Sequence, residues 1–222
     1  MTNASPLLYD NDPTPTDAPM PPNDAEHHEY PGLLVILSGP SGAGKTTISR
    51  AVRERMEVAF SVSLTTRPLS AEDTDGEDYI FVNEREFKEQ VKLGQLLEWA
   101  QVHDNFYGTP REPVIEELEA GGIVLLEIDV QGARQVKANL PDAVGIFVEP
   151  PSEEELLARL RARKREDEAT IQKRFQRATA EITQAHELGI YDLTIINCDL
   201  DKAIQQAIDF IEAQHVKRQA RA

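Results

Sequence analysis

Three observations predict an α/β fold with a mostly parallel sheet for this 222-residue chain. Short apolar runs without alternation recur at residues 33–38, 123–128, 143–148 and 193–196, the pattern of strands covered on both faces. Stretches with helical patterning and capping signals separate those runs. A glycine-rich loop joins the first run directly to a helix.

Taken in order, residues 1–30 read as a disordered tail. They carry Pro6, Pro13, Pro15, Pro19, Pro21 and Pro22 and six acidic residues, with no Lys or Arg, so apolar burial cannot offset the entropy of ordering. Two adjacent histidines do not by themselves make a metal site, and His27 and His28 read as part of the solvated tail. The first buried strand follows at 33–38, then a loop at 39–44, a helix at 45–56 and a second strand at 60–63. Residues 64–113 form a different block, read as an inserted lobe. It has a polar, turn-rich start, a strand at 79–82, a helix capped by Asn83 with Glu86 and stopped at Gly94, and a strand at 96–102. A helix at 110–120, ended by Gly121 and Gly122, returns the chain to the core. After the strands at 123–128 and 143–148, Ser152 with Glu155 starts a helix running to about Arg163. A charged break at 164–169 and a longer helix at 170–188 complete a small helical lid, and a strand at 193–196 and a helix at 200–214 close the fold. The predicted organisation is a tail (1–30) and one domain (31–222), with core segments 31–63, 114–152 and 186–222, a lobe at 64–113 and a lid at 153–185.

The net charge of −16 argues against general attraction to nucleic acid or anionic membranes, so an anionic ligand must be met by local cations. No apolar run approaches the ~18 residues of a membrane span, and the first thirty residues lack the basic start and apolar stretch of a secretory signal. The single cysteine, Cys198, cannot form an intramolecular disulfide and fits a reducing compartment. The expectation is a cytoplasmic protein with neither nucleic-acid nor membrane partners.

Gly39-Pro40-Ser41-Gly42-Ala43-Gly44-Lys45-Thr46 matches G-x-x-x-x-G-K-[ST] at every fixed position, between a buried strand and a helix. The glycines let successive N–H groups converge, and with the positive end of the helix they form a phosphate cradle. Lys45 is placed to reach the β- and γ-phosphates of a nucleotide, and the Thr46 hydroxyl to ligate Mg²⁺. The core is therefore predicted to be a P-loop NTPase fold taking a nucleotide with Mg²⁺.

Further motifs lie in the inserted block and beyond it: Ser63-Leu64-Thr65-Thr66-Arg67-Pro68, Asp75-Gly76-Glu77-Asp78-Tyr79, Glu98-Trp99-Ala100-Gln101, Asn105-Phe106-Tyr107-Gly108-Thr109 and Glu127-Ile128-Asp129-Val130-Gln131-Gly132. Together over residues 32–213 they resemble the guanylate kinase family. The resemblance implies a GMP-binding lobe, a helical lid, and transfer of the γ-phosphoryl group of ATP to GMP. It implies that Arg67, Tyr79 and Tyr107 hold the GMP phosphate, that Glu98 reads the guanine, and that Ser63 and Thr109 add polar contacts to the base. A carboxylate accepts from both N1–H and the 2-amino group of guanine, whereas adenine offers a lone pair at N1 and no 2-amino group, so a buried Glu98 discriminates strongly. Asp129 falls at a position that contacts the GMP site, with a Mg²⁺-linked role as the alternative, and Glu127 shares its strand. The ATP set is the loop residues with Thr47 and with Asn197 near the adenine. Arg159, Arg163 and Arg174 fall at lid positions, where fixed cations stabilise the charge of a phosphoryl group in transit. Arg161 and Arg165 do not match and read as solvated helix charges.

The chain departs from the family pattern at four places. Ser70 stands where a second phosphate-binding arginine is expected, Glu72 and Asp73 replace Gly-Glu, and Lys164 replaces a glycine after Arg163. Cys198 replaces the usual Asp beside Asn197 and is read as structural. Two other readings compete. A related kinase acting on another phosphorylated acceptor, such as a sugar phosphate, is favoured by Ser70 but has no need of Glu98 with Ser63. An inactive protein-binding module typically loses residues such as Lys45, Thr46, Glu98 or Asp129, which are all present here.

Overall fold

A computed structural model describes residues 29–71, 73–102, 104–162 and 167–221. The core is a five-stranded, wholly parallel sheet of β1 (Leu33–Ser38), β2 (Ala59–Phe60), β7 (Ile123–Glu127), β8 (Val144–Glu149) and β9 (Leu193–Ile196), in the order β2-β7-β1-β8-β9. β1 lies at its centre with all six side chains buried, which is why its sequence shows no alternation. Its two faces are nevertheless distinct. Leu33, Val35 and Leu37 pack with Ile48 and Val52 of α1 (Lys45–Arg55) and with Ile204, Ile208 and Ile211 of α7 (Leu200–Gln219). Leu34 and Ile36 pack on the other side with Val114 and Leu118 of α3 (Arg111–Glu119) and with Ala133 and Val136 of α4 (Val130–Asn139). Each such side chain contributes roughly 1.5–3 kcal/mol by leaving water.

The second sheet is mixed, in the order β4-β3-β6-β5, from β3 (Leu64–Thr65), β4 (Ile80–Phe81), β5 (Leu96–Val102) and β6 (Asn105–Pro110). Helix α2 (Glu84–Lys92) covers it, with Phe87 packed among Leu64, Leu96, Trp99 and Phe106. The capping box expected at α2 is complete: Asn83 Oδ1 accepts from Glu86 N at 3.0 Å and Glu86 Oε2 from Asn83 N at 3.1 Å. Helices α5 (Glu153–Ala162) and α6 (Glu168–Leu188) pair through Leu156, Leu160, Ile171 and Ala178. The far end of α6 reaches the core, where Ala185 meets Val130 and Phe147.

Several expectations are corrected. Of the strand expected at 60–63 only Phe60 is in a strand, at the end of β2; residues 61–63 are the link from core to lobe, and β3 of the other sheet starts at Leu64. Residues 105–110, treated only as a motif, form strand β6, and residues 130–139 form α4, which was not foreseen. Helix α6 starts earlier, at Glu168, because Asp167 Oδ1 caps Thr170 N at 2.7 Å, and α7 runs on to Gln219. Tyr30, assigned to the tail, is packed against the core. The expected tail up to residue 28, together with Arg163, Lys164, Arg165 and Glu72, lies outside the described residues. No helix among the described residues is long and apolar enough to cross a membrane.

Candidate active site

The glycine-rich loop leaves the C-terminal end of β1, where neighbouring connections run to opposite faces of the sheet and ligands of open α/β sheets bind. Gly39 has φ +149° and lies so close to β8 that a Cβ would overlap Val148 O. Gly44 has φ +102° and caps α1, and a Cβ there would stand 2.5 Å from Asn197 Nδ2. The loop is thus pressed between β8 and the end of β9. Asn197, expected beside the adenine, is buried and donates from Nδ2 to Ala43 O at 2.8 Å, so it braces the loop from beneath. Cys198 next to it is exposed rather than packed.

Lys45 folds back over the loop, donating to Gly39 O and, at 3.3 Å, to Pro40 O. Thr46 Oγ1 donates to Glu127 Oε1 at 2.7 Å, bringing the first turn of α1 to the end of β7. Thr47 is exposed on that same turn. Hydroxyl and carboxylate are hard oxygen donors, the type Mg²⁺ takes from protein when phosphates and waters fill its remaining positions. Among the described residues no group of three or more His, Cys, Asp or Glu could hold a metal ion. Sequence reasoning had left Glu127 without a role; its place at a strand end beside the loop was the available signal.

The lid reaches the loop from α5 and α6. Arg159 is held by Glu155 Oε1 at 2.9 Å and donates from Nη2 to Asn197 O at 2.9 Å. Arg174 donates from Nη2 to Ser41 Oγ at 2.5 Å. Arg161 is exposed and paired with Glu168 at 2.5 Å, away from this cluster. Glu181 of α6 was missed by sequence reasoning: burial raises its carboxyl pKa, opposed by the charge of Lys45.

Two groups of side chains line the lobe. In the first, Glu98 is 5% exposed and pairs across β5 and β6 with Thr109, whose hydroxyl donates to Glu98 Oε1 at 2.6 Å. Burial pushes the Glu98 carboxyl up to about 8; the Thr109 bond opposes this and Asp129 adds to it. Asp129 is the N-cap of α4, accepting from Gly132 N at 2.8 Å, and burial raises its pKa against that bond and the charge of Lys45. In the second group, the Arg67 guanidinium lies 5.3 Å from the Tyr79 ring centre and 5.4 Å from that of Phe81, and Tyr79 meets Tyr107 edge-on at 5.7 Å. Burial raises the Tyr79 pKa, with Tyr107 and then Glu127 adding to the effect, so this group faces the loop end of β7. Ser63 sits just before β3, its carbonyl accepting from Ile80 N at 2.9 Å.

The Ser70 departure acquires a structural reason. Asp73 takes Arg67 in a two-pronged bond, 2.8 and 2.9 Å, and is itself held by Ser70 N at 2.8 Å and Ser70 Oγ at 2.6 Å. These bonds, led by Arg67, hold the Asp73 carboxyl well below the usual range, and the same pairing raises Arg67.

Asp129 thus links the two parts, acting on the buried Glu98 and feeling the charge of Lys45 on the glycine-rich loop, while Arg159 and Arg174 reach the loop and the end of β9 from α5 and α6. The family model described as guanylate kinase matches residues 32–214. The guanylate kinase of Thermobifida fusca (strain YX) is 45% identical over 195 residues, covering 87% of this chain and 98% of that one. That of Thermosynechococcus vestitus is 46% identical over 175 residues, covering 78% and 90%. The crystal structure of guanylate kinase from Anaplasma phagocytophilum superposes with a TM-score of 0.69 at 30% identity, covering 84% of this chain and 88% of that one. By its sequence, its fold and the setting of its glycine-rich loop, this chain belongs to the guanylate kinase family.

Proposed function

We propose that this chain transfers the γ-phosphoryl group of ATP to GMP, giving ADP and GDP, in the cytoplasm. The observation that carries the acceptor is Glu98: a buried carboxylate, fixed by Thr109 and close to Asp129, which in turn feels the charge of Lys45 on the glycine-rich loop. A carboxylate in that setting costs stability unless a partner with two adjacent N–H donors arrives, and guanine presents such a pair. ATP lies with its phosphates on residues 39–47, Lys45 at the β- and γ-phosphates and Asn197 beneath the loop. GMP lies with its base at Ser63, Glu98, Thr109 and Asp129 and its phosphate at Arg67, Tyr79 and Tyr107. Thr46 and Glu127 would hold Mg²⁺, which would supply positive charge against the crowded phosphate oxygens.

An oxygen of the GMP phosphate bonds to the γ-phosphorus as the bond to the β,γ-bridging oxygen breaks, and ADP leaves with that electron pair. The acceptor oxygen is already anionic, so no general base is needed, and alignment with charge neutralisation carries the step. Arg159, Arg163 and Arg174 meet the equatorial oxygens in transit. Approach of the lid (153–185) and the lobe (64–113) to the core excludes water, which would otherwise hydrolyse ATP.

The test is ADP release with ATP, Mg²⁺ and a panel of GMP, AMP, CMP, UMP and sugar phosphates. Turnover with GMP at least a hundredfold above the rest is expected; equal rates with AMP would remove the role given to Glu98.

A further inference from the structure

We infer that α4 serves as a surrogate strand that aims Glu98, with Gly132 and Gln135 as positioning residues for guanine selection; this rests on the GMP reading above. β5 is the last strand of its sheet, so one row of its peptide groups faces away from β6. Such an edge needs partners when it is covered. α4 lies along it and supplies them from one helix face. Gln135 Nε2 donates to Trp99 O at 2.6 Å while Gln135 Oε1 accepts from Trp99 N at 3.2 Å, so the side-chain amide pairs with both peptide groups of Trp99 as a neighbouring strand would. Asn139 Nδ2 donates to Leu97 O at 3.0 Å. These bonds clamp the residues on either side of Glu98.

One turn earlier on the same face, Gly132 is buried against the Glu98 carboxylate. A Cβ there would overlap Glu98 Oε2 and stand 3.0 Å from its Cδ. The carboxylate is already tied to Thr109 through its other oxygen, so it has little room to turn away. Absence of a side chain at 132 thus sets where Oε2 points, and Oε2 is the oxygen left for the base. Gly132 N in turn holds Asp129, so the cap that starts α4 and the fit to Glu98 share one residue.

The test measures kcat/KM for GMP and for IMP, which has N1–H but lacks the 2-amino group, in the wild type, Gly132→Ala, Gln135→Met and Gly132→Ala with Glu98→Asp. Gly132→Ala should raise KM for GMP about tenfold or more and lower the GMP-to-IMP preference by a similar factor, with KM for ATP within about twofold of wild type. Gln135→Met keeps length and volume without the amide and should shift the same ratio by about threefold. Shortening Glu98 in the Gly132→Ala background withdraws the carboxylate from the added methyl and should recover part of the preference, where two independent losses would compound. Gln135→Met also keeps the test decisive if Gly132→Ala does not fold. Folded variants with an unchanged GMP-to-IMP ratio overturn the inference alone; a wild type that does not turn over GMP overturns it together with the kinase reading.

Discussion

At the scale of single residues, Glu98 makes the sharpest statement. Its pKa is raised from 4.5 to about 8, mainly by burial. Below about pH 4.5 it is protonated whether the chain is folded or not and leaves stability unchanged. Between 4.5 and 8 the unfolded chain ionises and the folded one does not, so stability falls as pH rises, and above 8 the penalty stays constant. GMP recognition as proposed runs the opposite way, because only the ionised carboxylate accepts both N–H groups. The competent fraction grows about tenfold per pH unit well below 8 and levels off above it. The expected outcome is a kcat/KM for GMP that climbs steeply from about pH 6 to 7.5, with a Glu98→Gln variant of low activity that lacks the Glu98-dependent part of the slope. A wild-type profile that coincides with the variant's over this window rules out the burial argument. Arg67 and Asp73 show the converse case: their charges cancel within a cage that Ser70 completes, a tertiary arrangement that residue identities along the chain do not announce.

At the scale of elements, the parts most legible in the sequence were those whose local signal and tertiary role coincide. β1 reads as a buried strand because both its faces are covered, and the glycine-rich loop because its glycines are needed where backbones nearly touch. That predicts a strong effect at Gly39. At φ +149° and with Val148 O where a Cβ would stand, Gly39→Ala strains the backbone and forces β1 and β8 apart. A loss of about 3 kcal/mol or more is expected, read as a lowered denaturant midpoint with an unchanged slope, and ATP use should fall with it. A midpoint within about 0.5 kcal/mol of wild type contradicts that geometry. α4 was not legible although Val130, Ala133 and Val136 keep a helical spacing, because Gly132 lies inside it and its polar Gln135 and Asn139 face a strand rather than solvent. β6 was hidden for a similar reason: Asn105, Gly108 and Pro110 lower its strand signal, and pairing on both sides supplies what propensity lacks. The link at 61–63 looked like a strand because its residues continue β2, yet the chain changes sheets there.

At the scale of the whole molecule, a chain of net charge −16 handles two polyanions, so its site residues must overcome a field that repels them. The arginines and Lys45 act at contact distance, where screening is weak, while the rest of the charge acts at range. Residues 1–28 contribute five acidic residues and no basic ones, and every described site residue lies beyond them. Removing residues 1–28 takes the net charge to −11 and keeps Tyr30 on the core. If those residues act only through their charge, the truncated enzyme at low ionic strength should show lower KM values for both nucleotides, by about twofold, with kcat unchanged. The difference should vanish by about 0.15 M salt, where the screening length is about 8 Å. A loss of kcat on truncation, or a KM difference that persists at high salt, would instead require these residues to make short-range contacts with the catalytic unit, and the acidic stretch would then have to be treated as part of the enzyme's site.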